Sequence, residues 1–482
     1  METLHPGLYF QKKRGVPPME GASTSTGAFV GVAEKGIVGK AYLITSFNQF
    51  VNTFGSYMND SYLAYAVRHF FQNGGSRCYV TRTCHYTEGS LDAVKATGEI
   101  MEGATEPATA ITVNATSEGT WGNGIEFNVT QVNDVDNDEF EVEITLDDEI
   151  ERITGEDIEE LEAEINSRSN LVNVIIVSSD FDATATVTLA DGEDGLDQIG
   201  ATDYVGDSAT GNGLYSFDEF NVNIVAVPGI TAEQTQVGLK DYCMQREDCF
   251  GILATPKSTT PQEAVTYKQE NNIESDLTAL YYPWVEVSDP IGRGKNPTKW
   301  LPPTGAIAGI YARTDATRGV FKAPAGYGTN LVGVLDVEYD VSDGEQDILN
   351  PARVNAIRSF DNAGIVVWGA RTLSSNPEYK YVNTSRTVLY IRNSLLNSMG
   401  WAVFENNDEG LWGKIRASAS DFLRNLWREG GLKGTNEDEA FFVKCDGELN
   451  TDEVIDAGKL YCDIGISDQK PAEFIVFRLS LI

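Results

Sequence analysis

Histidine is nearly absent from this chain: His5, His69 and His85 are the only three in 482 residues. Residues 86–482 therefore cannot by themselves hold a Ser-His-Asp triad, which needs an imidazole as general base. His69 reads as a packed or surface histidine beside an apolar helix face. The six cysteines, at 78, 84, 243, 249, 445 and 462, contain no CxxC pair. Without tight Cys/His clusters a zinc site has no ligand set. The cysteines read as reduced, small apolar side chains, although a Cys-x5-Cys spacing occurs at both 78/84 and 243/249. No run approaches about 18 consecutive apolar residues, so no membrane insertion is expected. Met1 to Met19 lacks an apolar h-region and carries Lys12, Lys13 and Arg14 before Pro17-Pro18, so no cleavable secretory signal is expected.

Basic residues are missing from one long segment. Glu88 to Glu219 holds 33 acidic residues against Lys95, Arg152 and Arg168, a net of −30 within a whole-chain charge of −36. Asp134 to Glu164 alone has 16 carboxylates and Arg152. Such a segment is strongly solvated and repels nucleic acid and anionic lipid, so no nucleic-acid partner is expected. Its Asp134-Val135-Asp136-Asn137-Asp138 opens like a calcium loop. The sixth position, however, is Glu139 rather than the turn glycine, and the twelfth is Thr145 rather than a bidentate Glu. Gly31 to Lys40 lacks the GxxxxGK[ST] pattern of a phosphate-cradling loop. No cofactor, metal or catalytic residue is assigned.

What is present is enough apolar material for several cores: 41% hydrophobic residues over a length that exceeds a single core. Residues 1–20 read as an arm, with Leu8-Tyr9-Phe10 a short strand-like run. Ala28 to Ala33 and Cys78 to Thr81 read as strands. Between them lies a helix capped by Asp60 or Ser61, with Leu63, Val67, Phe70 and Phe71 on one face and Gly74-Gly75 at its end. From 88 to 215 period-two alternation at Ala110–Val113, Glu126–Thr130, Phe140–Thr145 and Ala183–Leu189 predicts a β-rich insertion with one wet face. From 216 to 380, Val222–Gly229, Phe250–Pro256 and Ile365–Gly369 are strand runs separated by helical stretches, which predicts a largely parallel α/β sheet. Residues 381–482 hold two amphipathic helices and a final strand.

Several stretches resemble the contractile tail sheath family of bacteriophages and phage-tail-like injection particles. They run in family order: Pro6-Gly7-Leu8-Tyr9; Thr24-Ser25-Thr26-Gly27-Ala28-Phe29-Val30-Gly31; Phe70 to Gly75; Pro302 to Asp315; Gly319 to Ala325; Gly364 to Thr372; Trp401 to Asn407; and Pro471-Ala472-Glu473-Phe474. The acidic segment matches least, chiefly at Trp121-Gly122-Asn123 and Asp191 to Gly195. The resemblance implies an α+β/α/β multidomain chain. Its parts would be an arm (1–20), a central α/β domain of subtilisin-like topology (21–87 and 216–380), an outward-facing acidic insertion (88–215), and a tube-facing C-terminal domain (381–482) ending in a linking strand. It further implies a non-enzymatic subunit that stacks with its own copies around a tail tube protein and meets baseplate and tail terminator proteins. Contraction of that stack would drive the tube through a cell envelope. The resemblance also implies assembly in the host cytoplasm, whether as a virion tail, a tailocin or an extracellular injection system.

Two surfaces are legible without the family. Phe474, Ile475, Val476 and Phe477 begin an apolar, β-prone terminus that would be an aggregation hazard if left free. It is either a strand of its own domain or one donated to another copy, and the resemblance favours donation, with Leu8, Tyr9 and Phe10 as the matching arm. The second surface is on the helix around Leu411 to Arg428. Leu411, Trp412, Ile415, Ala419, Phe422, Leu423, Leu426 and Trp427 share one face; Lys414, Arg424 and Arg428 lie opposite as a basic ridge. That ridge is either a solvated face or, as the resemblance implies, a tube contact. An α/β hydrolase-like enzyme and a surface-layer protein are the readings of other classes; the histidine shortage and the missing secretory signal oppose them.

Overall fold

The computed structural model describes residues 19–87, 90–102, 108–134, 137–178 and 184–476. Contacts divide the chain into two compact units, one of Ser25–Arg313 with Pro324–Lys380, the other gathering Thr314–Ala323 and Tyr381 onward with the residues before Ser25.

The first unit is organised by an eight-stranded sheet. Its strands lie in the order Ala41–Ile44, Cys78–Arg82, Gly27–Gly31, Ile224–Ala226, Phe250–Ala254, Thr278–Tyr282, Val354–Phe360, Gly364–Val367. The six inner strands run parallel, and each edge strand pairs antiparallel. Parallel strands are covered on both faces and carry continuous apolar runs for that reason. Gly27–Gly31 and Phe250–Ala254 are accordingly buried at every position. The run expected as a strand at Ile365–Gly369 is the antiparallel edge Gly364–Val367, because it follows Val354–Phe360 through a short turn at Asp361 to Ala363 that leaves no room for a crossover. The helices Glu233–Arg246 and Pro261–Glu270 pack Leu239, Tyr242, Ala264 and Val265 into the core beside Val225, Leu253 and Leu280. The helix after the Asp60-Ser61 pair begins at Leu63 and has no side-chain cap at Tyr62; Ser61 instead takes the Leu63 amide at 3.2 Å and donates to the Val32 carbonyl at 2.6 Å.

Residues 97–188 form two antiparallel sheets. One has the order Glu149–Gly155, Asn137–Leu146, Glu126–Asp134, Thr184–Thr188; the other has Val172–Ile176, Ala108–Ala115, Thr97–Glu102. Of the calcium-like stretch, Asp134 ends one strand and Asn137 begins the next, and the two are paired in antiparallel register. Alternating residues Phe127, Val129, Phe140, Val142 and Ile144 meet Leu161 and Ile165 of the helix Ile158–Arg168 in a core of their own. Of the carboxylates between them, Glu141 is exposed and Glu143 pairs with Arg152.

The second unit packs the helices Val382–Ser398 and Glu409–Arg428 against a hairpin of Phe441–Lys444 and Asp463–Ile466. Asp408 caps the longer helix by accepting from the Leu411 amide at 2.8 Å. Its buried face comprises Leu411, Trp412, Ile415, Ala419, Phe422, Leu423 and Leu426. Trp427, expected on that face, is half-buried and donates to the Gly434 carbonyl at 3.1 Å.

Candidate assembly surfaces

In a doubly wound sheet the usual ligand crevice opens at the carboxyl ends of the strands where the order reverses. Here the reversal falls at Gly27–Gly31, between Cys78–Arg82 and Ile224–Ala226. The Tyr62 ring lies on Gly229, three residues past the carboxyl end of Ile224–Ala226. A Cβ on Gly229 would meet Tyr62 Cδ2 at 2.1 Å, so only glycine lets the ring lie on the backbone. Trp284 packs edge-on to Tyr62 at 5.3 Å and Lys299 stands over it at 5.3 Å. His69 is buried beside Tyr62, Ala66 and Leu301, and burial lowers its pKa to about 4, which keeps the ring neutral. The described cysteines are free thiols. Cys243 and Cys249 Sγ lie 3.8 Å apart, and that hydrogen bond, together with burial, raises the Cys249 pKa.

The root of the acidic module is fixed by a guanidinium. Arg82, at the end of its strand, is fully buried and donates to the Gly36 carbonyl at 3.0 Å and the Glu118 carbonyl at 2.6 Å; Asp194 lies 3.6 Å away. Asp194 in turn accepts from the Thr120 amide at 3.0 Å. Beside it His85 Nδ1 sits 3.0 Å from Asp203 and its Nε2 4.0 Å from Asp92. The bond to Asp203 raises the His85 pKa above its ordinary value of 6.5. A raised folded value means the charged ring stabilises this junction fully below about pH 6.5 and progressively less as pH rises through the folded pKa. Hydrogen exchange of amides 83–94 is therefore expected to be slower at pH 5.5 than at pH 8.5 once intrinsic rates are divided out. Equal protection at the two values would contradict the assignment.

In the second unit the first turns of Val382–Ser398 are buried yet polar, because they fasten other segments. Arg386 forms a two-pronged pair with Asp315, at 2.8 and 2.6 Å, and also donates to the Thr24 carbonyl at 2.8 Å. Asn383 donates to the Phe321 and Gln469 carbonyls, Thr384 donates to Asp468 at 2.6 Å, and Tyr381 donates to Glu473 at 3.1 Å. The C-terminal segment is thus tied down as far as Glu473. Beyond it Phe474, Ile475 and Val476 are 73, 74 and 77% exposed. Among the described residues no segment pairs with 474–476; the rest of the run expected as a strand lies outside them. Phe477, like Leu8, Tyr9 and Phe10, lies outside the described residues. Among the described residues the hairpin Phe441–Lys444 with Asp463–Ile466 is a two-stranded sheet, which is marginal without additional partners. Phe442 lies over Gly465, where an added Cβ would meet its ring at 2.1 Å, and keeps 59% of its surface exposed.

The basic ridge is unequal. Lys414 and Arg428 are exposed, whereas Arg424 is held by Glu437 at 2.8 Å through two prongs and by Asp421 at 2.5 Å. Those bonds raise the Arg424 pKa and lower that of Glu437. The centre of the ridge is therefore neutralised within the chain, which the helical wheel could not reveal because Glu437 arrives from another helix.

The fold is a mixed α/β multidomain protein that presents exposed apolar residues at 474–476, the hairpin's exposed Phe442, and Lys414 and Arg428 on the long helix. The family model for the phage tail sheath protein central domain matches residues 197–373, and that for the phage tail sheath C-terminal domain matches 374–482. These spans follow one another over more than half of the chain, and the chain belongs to the phage tail sheath family. A prophage major tail sheath protein of Pseudomonas aeruginosa strain UCBPP-PA14 is 28% identical over 264 residues, 54% of this chain; the chain covers 64% of that protein. The fold is similar to that of the anti-feeding prophage helical sheath in its contracted state, with a TM-score of 0.61, 21% identity and 99% of both chains covered. It is also similar to the sheath tail protein of Listeria innocua, with a TM-score of 0.64, 16% identity and coverage of 94% and 96%.

Proposed function

We propose that this chain is the structural subunit of a contractile tail sheath, polymerising with its own copies around a tail tube and driving that tube through a cell envelope. The observation that carries the reading is the unbroken succession of the two sheath-family domains over 197–482. The exposed Phe474, Ile475 and Val476 support it, since an apolar, β-prone run left open is suited to pairing with another chain. In this reading the eight-stranded sheet is the subtilisin-like central domain (21–87 and 216–380). Residues 88–215 are an acidic insertion facing outward, and 381–482 face the tube. The role is mechanical rather than enzymatic, in keeping with the Tyr62 ring lying on Gly229 just past the carboxyl end of Ile224–Ala226. Baseplate and terminator proteins close the ends of the stack. The particle is a virion tail or an injection particle of the anti-feeding prophage kind, assembled in the host cytoplasm. Negative-stain microscopy of the purified chain, with and without its tube protein, tests the reading through the presence of stacked rings or tubes.

Within this reading the tube contact rests on Lys414 and Arg428 rather than on Arg424, whose charge is already paired. Single exposed pairs contribute about 0–1 kcal/mol, but a ring repeats them. Reversing Lys414 and Arg428 to Glu is expected to weaken tube co-sedimentation by roughly tenfold at low salt. Arg424→Glu would act mainly on the stability of the chain. Undiminished tube binding by the Lys414/Arg428 variant at low ionic strength would remove the ridge from the account.

A further inference from the structure

A chain of net charge −36 presents one stiff cationic tip. The strands Val285–Ser288 and Thr298–Leu301 are joined by a loop that carries Arg293 and Lys295 on either side of Gly294. Both cations are exposed, and neither has an ion-pair partner among the described residues. The loop beneath them is tightly built. Asp289 donates its amide to the Pro297 carbonyl at 2.8 Å; its carboxylate accepts from the Ile291 amide at 3.2 Å and from the Tyr65 hydroxyl at 2.6 Å. Gly294 at φ 114° and Asn296 at φ 58° turn the chain between Pro290 and Pro297. Lys299 at the foot is already committed, donating to the Asn59 carbonyl at 2.8 Å and standing 4.6 Å over the Tyr65 ring. The two free charges are thus held out on a support that loses little freedom on contact.

The acidic module presents the complementary object. Its hairpin of Asn137–Leu146 and Glu149–Gly155 closes with Leu146 opposite Glu149, and Asp147 takes a left-handed φ of 51°. Asp147, Asp148 and Glu149 at this tip are exposed, while neighbouring carboxylates are already used: Glu151 accepts from Ser169 and Asn170, and Glu143 pairs with Arg152. Within the chain the two tips do not pair. We infer that the Arg293/Lys295 tip of one copy docks on the Asp147–Glu149 tip of a second copy, an inter-subunit contact that rests on the sheath reading above. The occupant is another copy because a homopolymer supplies this acidic tip at the same stoichiometry as the cationic one. Every subunit also brings a module of net −30, counted from Glu88 to Glu219. Stacking such modules is repulsive unless cations stand between them, and Arg293 and Lys295 are free to do so.

The test is a charge swap read by sedimentation of assembled material at low salt. Variants are Arg293→Glu/Lys295→Glu, Asp148→Lys/Glu149→Lys, and the four substitutions together; Asp147 is left alone because Lys would be strained at its positive φ. Each reversal is expected to raise the concentration needed for assembly about tenfold, and the combined variant to return within about threefold of the unaltered chain. The differences are expected to vanish near 0.5 M salt, where screening acts over only a few ångströms. The acidic-tip reversal is decisive: if only general repulsion between modules mattered, making the tip positive would improve assembly, whereas the docked pair makes it worse. Melting temperatures matching the unaltered chain establish that each variant is folded. The inference is overturned if both reversals assemble as the unaltered chain does, or if the combined variant is no better than either alone. If the unaltered chain itself forms no polymer, the sheath reading fails and this contact with it.

Discussion

A chain ending at Glu473 stays folded and soluble but builds no tubes. Of the residues the cut removes, Phe474, Ile475 and Val476 are exposed and bonded to nothing described within their own chain, so these three contribute almost no packing. It spares Gln469 and Glu473, which Asn383 and Tyr381 hold, and so leaves the second unit fastened. Losing a strand donated to a neighbour, by contrast, removes a connection from every subunit of a polymer, and the effects multiply along the lattice. The expected rise in the concentration needed for assembly is on the order of 100-fold or more, with an unchanged melting temperature. The outcome that counts against this role is a truncated chain that forms tubes of normal length. A tail that belonged to its own domain would instead show itself as a lowered melting temperature.

Asp315→Ala is expected to be the most destabilising single substitution in the second unit. Arg386 and Asp315 side chains are 3% and 4% exposed, so their attraction acts with little screening, and the pair is satisfied further by the Thr24 carbonyl. Removing the carboxylate takes the two-pronged partner from a guanidinium in a dry site, at a cost of about 3–5 kcal/mol. Because Asp315 lies outside the residues that follow Tyr381 in sequence, the loss also loosens the hold of that unit on Thr314–Ala323. Replacing both partners, as Asp315→Leu with Arg386→Met, is expected to recover most of the stability, since two apolar side chains carry no buried charge. Urea unfolding of the unaltered chain, the Asp315→Ala chain and the double variant measures both quantities. A single-substitution loss below about 1 kcal/mol would mean that water reaches the pair and that the burial argument fails.

The parts of this fold that announced themselves in sequence did so because their packing is local in pattern. Ala28 to Gly31, Cys78 to Thr81 and Phe250 to Ala254 are apolar at consecutive positions because parallel strands are covered on both faces. The helix Glu409–Arg428 repeats its apolar face with helical period and begins at a capping aspartate. In the acidic region, alternation marks strands with one face in water. Thr278–Tyr282 and Val354–Phe360, both inner strands, were harder to see: the first is a short run after Ser275 and Asp276, and the second is broken by Asn355 and Arg358. Asn355 is buried because its side chain donates to the Leu280 and Arg371 carbonyls, partners that only the folded chain provides.

The candidate surfaces divide in the same way. An exposed β-prone tail is readable from composition, and so is a row of basic residues on a helix. Which of those residues is free is not, because Arg424 is neutralised by Glu437 thirteen positions away on a different helix. The hairpin Phe441–Lys444 with Asp463–Ile466 gave only a weak signal, as the two strands are short and widely separated in sequence. Arg82 would pass for a surface arginine at the end of a strand, since its partners Gly36, Glu118 and Asp194 come from three distant places. The cationic tip was likewise hidden within a chain of overwhelming negative charge until the loop geometry isolated Arg293 and Lys295.

The most direct measurement is electron microscopy of the full-length chain, concentrated alone and then mixed with its tube protein, over a range of salt and pH. The account predicts stacked rings or helical tubes of the chain, which sheathe the inner tube when it is supplied. A chain that remains monomeric under all of these conditions would contradict it.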